Sequence, residues 1–323
     1  MDSDVYSQSN WIVIKVAELY YLQGKSQKEI AFQLNISEST TSRLIRRAKE
    51  EGVVEFVIRN PYMDSIALSN ELIEKYGLKD AVVIPTSGMD FGDPMLIKKM
   101  VAREGARYLQ RVLKPHDILG IAWGGTIYHL IHYLNPCQKS DNSFITLHGS
   151  LSRCAYELDA RTLVSRMAMA LGGTQHALLC ESLFKTAEIV QHIRNEESAK
   201  QIFKLFDQIT ISLSGVGSLY PLADSPLARI QYLHPSEFED LKSKGVYGDL
   251  MLRFFDKDGQ ECESSLVDRT LAISFDTYKK IPCKIVVASG AHKAHTIRAI
   301  LKGKLLDVLI VDFDLARETL ELD

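Results

Sequence analysis

The sequence predicts an α/β protein in two parts: an N-terminal winged helix-turn-helix, then a Rossmann-like, mostly parallel sheet. Three features of the chain carry that expectation. Residues 26–49 read as two short amphipathic helices joined by a tight turn. Beyond Gly77, short apolar runs alternate with helical patterns, which argues a parallel sheet with helices on both faces. Those strands run into glycines at Gly124-Gly125, Gly215-Val216-Gly217 and Gly290. Ligands of such sheets bind beyond the carboxyl ends of the strands.

A chain of 323 residues is long for one domain. Asn60-Pro61 marks the boundary, giving domains at 1–60 and 61–323. The net charge is −3 and the pI about 6.3, so no global excess of positive charge announces nucleic acid. A small basic face on a larger acidic body gives the same total, so DNA is not excluded. Five cysteines (Cys137, Cys154, Cys180, Cys262 and Cys283) are odd in number and widely spread, which suits reduced thiols better than disulfides or zinc. No apolar run approaches the roughly 20 residues of a membrane span. Met1–Asn10 is polar and acidic, unlike a signal peptide. A cytoplasmic protein is expected.

Residues 11–23 form a first amphipathic helix, with Trp11, Ile14, Val16, Leu19 and Tyr20 for packing and Gly24 as its end. Ser26 with Glu29 makes a capping box. Ile30, Ala31 and Leu34 share a face, Asn35 suits a left-handed turn, Ile36 plugs the corner and Ser37 caps the second helix. Along that helix Thr41, Leu44, Ile45 and Ala48 face inward, and small Ala31 lets the helices cross closely. Gly52 ends it, and Val53–Ile58 reads as a wing strand. Next come a helix over 64–76, strand 81–84, helix 98–112, strand 117–122, helix 127–134 and strand 144–147. Helices at 159–171 and 186–206 flank a strand at 175–179. Strands at 209–214 and 250–255 follow. Strand 284–288, helix 291–301, strand 306–311 and helix 315–320 close the chain.

The second helix of the pair has the form of a recognition helix for the DNA major groove. Ser37 stands at its amino end, and Ser39, Thr40, Ser42, Arg43, Arg46 and Arg47 point outward. Hydroxyls and a helix N-terminus suit phosphates, and Arg43 suits a guanine edge. Arg59, just past the wing, would lie near the DNA backbone. The bland reading is a helical hairpin in a core, its arginines a solvated face. Trp123-Gly124-Gly125-Thr126 lets a backbone approach a ligand, with Thr126 as cap and the helix amides as an anion site. It also reads as a tight turn with no ligand. Lys293, after Ser289-Gly290, is placed to meet a phosphate, to form a Schiff base if its pKa is depressed, or to be a surface lysine. Asp249 either accepts from sugar hydroxyls or belongs to a turn. The pairs His129/His132 and His292/His295 lack the neighbouring carboxylates of a metal site. No metal or cofactor is expected, and Asp312 and Asp314 read as helix caps.

These blocks together resemble the SorC/DeoR-type sugar-binding transcriptional regulators of bacteria. The likeness runs through Ser26–Ala31, Ser42–Ile45 and Gly52–Glu55, then Gly120–Thr126, Ser214–Ser218, Gly248-Asp249, Phe254–Asp256, Gly259, Lys293 and Leu309–Asp312. The resemblance implies a DNA-binding regulator rather than an enzyme. Residues 1–60 would bind double-stranded operator DNA. Residues 61–323, similar in fold to sugar-phosphate isomerases and deaminases, would bind a phosphorylated sugar effector and form a homodimer or homotetramer. It puts the phosphate loop on Gly124, Gly125 and Thr126, the acidic contact on Asp249 and the effector lysine on Lys293. Arg229 is the expected basic contact, and His148 is grouped with the effector residues. Ser289 and Ala291-His292 depart from the family's glycine-rich turn. The alternative is a sugar-phosphate isomerase or deaminase with an accessory helical domain. Such an enzyme needs a proton shuttle near the sugar carbonyl, and Asp249, His148 and His292 are its candidates.

Overall fold

Local capping signals set the N-terminal helices in the computed structural model, which describes residues 8–54, 56, 62–86, 93–135, 139–229 and 232–322. Helix α1 (Gln8–Ala17) continues into a single π turn, Glu18–Leu22. Val13, Val16, Ala17 and Leu19 are buried, whereas Trp11 and Ile14 are exposed, contrary to expectation. The apolar spacing 13, 16, 17 centres the buried face on Val16, and Ile14 lies roughly 200° round the helix from it. Helix α2 (Gln27–Leu34) opens with the capping box: Ser26 Oγ accepts from the Glu29 N–H at 3.3 Å, and the Glu29 carboxylate accepts from the Ser26 N–H at 2.8 Å. Asn35 takes the left-handed turn, at φ 53°. Helix α3 (Glu38–Glu50) is capped by Ser37, whose Oγ accepts from the Thr40 N–H at 3.1 Å. Thr41, Leu44, Ile45 and Ala48 are buried, as are Ile30 and Ala31. After Gly52, at φ +68°, the Val54 N–H donates to the Ala48 carbonyl at 3.1 Å. That bond folds the chain back onto the end of α3, so Val53 and Val54 are not the start of the expected wing strand. Glu55 and residues 57–61, Arg59 included, lie outside the described residues.

By its internal contacts the chain divides into two units, Met1–Arg59 and Asn60–Asp323. The second begins with α4 (Tyr62–Tyr76), β1 (Asp80–Ile84), α5 (Pro94–Val112), β2 (Ile118–Ile121), α6 (Gly125–His132), β3 (Ser143–Thr146), α7 (Ala160–Leu171) and β4 (Thr174–His176). It continues through α8 (Ala187–Asn195), α9 (Glu197–Phe206), β5 (Ile211–Ser214), β6 (Gly217–Ser218), α10 (Pro226–Arg229), α11 (Pro235–Ser243), β7 (Gly248–Leu250) and β8 (Arg253–Phe255). Short α12 (Ser265–Arg269) and α13 (Phe275–Lys279) precede β9 (Cys283–Val287), α14 (Ala294–Lys302), β10 (Val308–Asp312) and α15 (Phe313–Glu321). Seven strands form one sheet in the order β1-β10-β9-β5-β2-β3-β4, with every pair parallel. Strands β6, β7 and β8 form a small antiparallel sheet.

The sheet is apolar on both faces because helices cover both. Along β10, Leu309 and Val311 pack in a core with residues of α4, α9, α14 and α15, while Val308 and Ile310 pack with α5, α6 and α7. Gly120 in β2 is small by necessity, since a Cβ there would come within 2.6 Å of the Leu147 side chain.

Four of the expected elements of this unit differ from the sequence reading. The helix expected over 186–206 breaks at Glu196, which is extended (φ −65°, ψ 140°). Both pieces then reach one core, through Val190 and through Ala199, Ile202 and Phe206. The strand expected over 250–255 is instead a hairpin. Its turn is Met251-Leu252, both at positive φ (53° and 65°) and both buried; apolar residues rarely adopt that backbone, so the turn is invisible in sequence. The strand expected over 175–179 is only β4, and helix 291–301 opens with a single 3₁₀ turn, Ala291–Lys293. Among the described residues no helix is long and apolar enough to cross a membrane.

Leu119 is fully buried in β2, between β5 and β3. Leu119→Ala is expected to destabilise the protein by about 2–5 kcal/mol in urea unfolding. A loss well under 1 kcal/mol would mean that this part of the core is loosely packed.

Candidate DNA-reading face and effector pocket

At the helical period, Ser39, Ser42, Arg43 and Arg46 share the side of α3 opposite Leu44 and Ala48, and all four are exposed. Ser37 and Thr40 stand at its amino end. The Ser37 hydroxyl lies 2.8 Å from those of Ser39 and Thr40, so it is occupied in capping. Arg47 leaves the outer face sideways, and its Nε donates to Glu51 one turn on. The outward face is therefore narrower than the sequence suggests, with Arg43 and Arg46 as its arginines.

In the second unit, β9, β5 and β2 are neighbours, so the turns at their carboxyl ends meet over one edge of the sheet. Gly124, at φ +124°, makes the turn into α6 with no side-chain cap. Thr126 is thus the second residue of the helix and not its cap. A Cβ on Gly124 or Gly125 would meet nothing within 4 Å. Glycine serves backbone conformation at 124 and leaves open space at 125. The first turn of a helix leaves its amides without intrahelical partners, which makes this terminus suited to an anion.

Facing that turn is Asp249, on β7. Its carboxylate accepts from the Ser225 hydroxyl at 2.7 Å. A Cβ on Gly217, its cross-strand partner, would lie 2.0 Å from Asp249 Oδ1, so only glycine fits there. Burial raises the Asp249 pKa to about 6, opposed by the Ser225 hydrogen bond and by nearby Lys293. Lys293 is itself mostly buried; its Nζ donates to the Val216 carbonyl at 3.1 Å and lies 3.8 Å from Asp224 Oδ2. The same oxygen of Asp224 accepts from His292 Nε2 at 2.9 Å. Lys98, Trp123, Pro226 and Met251 complete the walls of a cavity of about 80 Å³. A larger groove of about 810 Å³ lies elsewhere, lined by Tyr232, Phe238 and Arg269 among others. Arg269 is bonded there to Glu237 and to the carbonyls of Phe184 and Lys185, and Tyr232 and Ser152 both donate to Glu181. The smaller cavity alone of the two sets a helix N-terminus beside a lysine and a buried carboxylate, so it is the better candidate for a charged ligand.

A family model described as "Putative sugar-binding domain" matches residues 60–321, and a model of sigma-70 region 4 matches residues 17–51. The deoxyribonucleoside regulator of Bacillus subtilis (strain 168) is 33% identical over 304 residues, covering 94% of this chain and 95% of its own. The chain belongs to the SorC/DeoR-type sugar-binding transcriptional regulators. The sorbitol operon regulator of Klebsiella pneumoniae is 28% identical over 315 residues, 96% of each chain. The crystal structure of full-length SorC from that organism matches 99% of this chain and 100% of its own, at 27% identity and a TM-score of 0.75. These relatives are transcriptional regulators and not enzymes, and the family is one of sugar-responsive, DNA-binding proteins.

Of the residues singled out in this regulator's sequence, Gly124, Gly125, Thr126, Asp249 and Lys293 line one cavity. His148 does not. It is fully buried behind the loop, where its Nε2 accepts from the Trp123 N–H at 3.1 Å and its Nδ1 donates to the Gly149 carbonyl at 2.7 Å. A backbone N–H can only donate, so Nε2 carries the lone pair and the proton sits on Nδ1. His148 thus holds Trp123 just ahead of the glycine turn and is not an effector contact. His292 is paired with Asp224, so neither histidine is set up as a proton shuttle beside Asp249. Arg229 ends α10, and its side chain lies outside the described residues. Lys98, Asp224 and Met251 were not anticipated. Lys98 sits within an ordinary amphipathic helix, and Leu222-Ala223-Asp224-Ser225-Pro226 reads as a surface turn.

Burial lowers the His148 pKa from 6.5 to about 4. Between those values the unfolded chain gains a proton that the folded chain refuses, so this group's contribution to stability is lost as the pH falls. Asp249 acts the other way: its raised pKa makes the folded chain hold a proton that the unfolded chain releases, so stability falls as pH rises from about 4 to about 6. His148→Gln keeps an acceptor for Trp123 but cannot titrate. Its stability deficit relative to the unsubstituted protein is expected to shrink as urea unfolding is repeated from pH 7 down to pH 4. A constant deficit would show that His148 takes up a proton as readily in the folded chain as in the unfolded one.

Proposed function

We propose that this regulator reads operator DNA through the outer face of α3 and that a phosphorylated sugar in the Gly124–Thr126 cavity governs its occupancy of DNA. One observation carries the effector reading. The amides at the start of α6, the Lys293 ammonium and the Asp249 carboxylate meet in one small cavity, so an anion and a hydroxyl donor each have a partner there. The relatives named for deoxyribonucleosides and for sorbitol support polyhydroxy ligands of this kind. A single short recognition helix gains affinity when presented twice, about 34–36 Å apart. We therefore read the protein as a homodimer or homotetramer on a pseudo-palindromic operator, with residues 1–60 binding DNA and 61–323 binding effector.

On the DNA side, Arg43→Ala is expected to weaken binding to the operator by about 1–3 kcal/mol and to relax base preference at one position. Selection from randomised sites, followed by gel-shift titration, measures both. An unchanged site preference removes Arg43 as a base reader.

On the effector side, the test is calorimetry with pentose 5-phosphates and hexitol 6-phosphates, each paired with its free sugar. A phosphorylated member is expected to bind and its free sugar to fail. Thr126→Asp puts a carboxylate at the anion site and is expected to abolish binding while DNA binding persists. Lys293→Ala is expected to weaken binding about tenfold, or roughly 1.4 kcal/mol. Equal binding by the unsubstituted protein and both variants would displace the effector from this cavity.

A further inference from the structure

The two side chains that would hold the effector are already engaged by one loop of the same chain. Residues 219–225 leave β6, expose Tyr220 and Leu222 at their tip, and return to the cavity at Asp224 and Ser225. There the Asp224 carboxylate lies 3.8 Å from the Lys293 ammonium and accepts from His292 at 2.9 Å. The Ser225 hydroxyl donates to Asp249 at 2.7 Å. Each contact copies one half of a sugar phosphate: a carboxylate at the lysine where a phosphate would go, and a primary hydroxyl on the carboxylate where a sugar hydroxyl would go.

Size points the same way. The cavity of about 80 Å³ has room for about two or three water molecules. Sites that enclose drug-sized ligands run from about 300 Å³ upward. A phosphorylated sugar enclosed within it would need a wall to withdraw. Ser225 is fully buried and also accepts from the Leu227 N–H, which fixes the loop's base. The tip and Asp224 are more exposed than that base.

Resting on the effector reading above, we infer that Asp224 is an internal surrogate for the effector's anion, occupying Lys293 and His292 in the ligand-free protein and leaving when an anion arrives. The contact selects for ligands whose charge can replace a carboxylate, and so against free sugars. It also couples occupancy of the cavity to release of the 219–224 segment. A released element is one means by which a ligand changes something beyond its pocket.

The test uses the full-length protein and inorganic phosphate as probe, with affinity read by isothermal calorimetry. Asp224→Asn keeps the shape but removes the charge, and Asp224→Ala removes both. If the Asp224-engaged form holds about nine-tenths of the ligand-free population, both variants should bind phosphate about tenfold more tightly than the unsubstituted protein. Hydrogen exchange gives a second reading. The Asp224 N–H bonds to the Ser218 and Leu222 carbonyls, both at 2.9 Å. Phosphate should speed exchange across 219–224 in the unsubstituted protein, whereas a ligand that merely packs there would slow it. Unchanged or weaker phosphate binding in Asp224→Asn, or slower exchange on adding phosphate, overturns the inference. So does an absence of phosphate binding in every form, because Lys293 uncovered in Asp224→Ala should accept the anion. The effector reading is judged apart, by the loss of sugar-phosphate binding in Thr126→Asp and Lys293→Ala. It survives if those losses occur while the Asp224 variants bind no tighter.

Discussion

The parallel pairing of β9, β5 and β2 is the constraint on which the site depends. Parallel neighbours deliver their carboxyl ends to the same edge, so three turns that are far apart in sequence must share one small space. Backbone conformation and, at Gly217 and Gly290, close neighbours call for glycine there. Gly124 and Gly290 both sit at positive φ, and a Cβ on Gly290 would lie 2.7 Å from the His292 ring. A fourth strand end stiffens the arrangement. Asp312, at the end of β10, caps α15 through the Leu315 N–H at 3.1 Å and accepts from the Gly290 N–H at 2.7 Å. The loop that carries His292 and Lys293 is thereby tied to the neighbouring strand, and Lys293 reaches the cavity from a fixed base.

Charge balance gives that geometry its character. Desolvation penalises Asp249, raising its pKa, and raises that of Asp312 as well. Each is retained with compensating partners: the Ser225 hydroxyl and the nearby charge of Lys293 for Asp249, backbone amides for Asp312. Lys293 in turn has a carbonyl and a carboxylate beside it. The cavity is polar yet close to balanced, unlike a simple basic patch. Ion pairs on the open surface of the protein, such as Arg317 with Asp314, contribute little by comparison, since water screens both partners.

Much of this was legible in the chain. The capping box at Ser26, the left-handed Asn35 and the inward face of α3 follow from local chemistry, and the structure has each of them. The alternation of strands and helices gave the sheet, and glycines after strands pointed to its ligand edge. What stayed hidden depends on tertiary context. Met251-Leu252 turns the chain at positive φ because burial of both side chains offsets the backbone strain. His148, at a strand end, looked like a ligand for the same reason that Lys98 looked like none. Strand ends attract functional readings, and a lysine on an amphipathic helix does not. Asp224 was hidden most thoroughly, since its partners Lys293 and His292 lie about seventy residues further on.

A sugar-responsive regulator does not need a large energy to switch. Coupling between an effector and DNA is typically about 1–3 kcal/mol. One hydrogen bond to a charged group is worth about 1.5–3 kcal/mol, so rearrangement at a single ion pair is of the right size. That favours a switch built from a contact in the pocket over one that repacks the core, where removing even one buried leucine side chain costs about 2–5 kcal/mol. The two core clusters on the sheet's faces therefore suit a rigid frame. On the inference drawn above, movement in response to ligand falls to the loop between β6 and α10, whose contacts through Asp224 and Ser225 are single polar bonds that a charged ligand can replace.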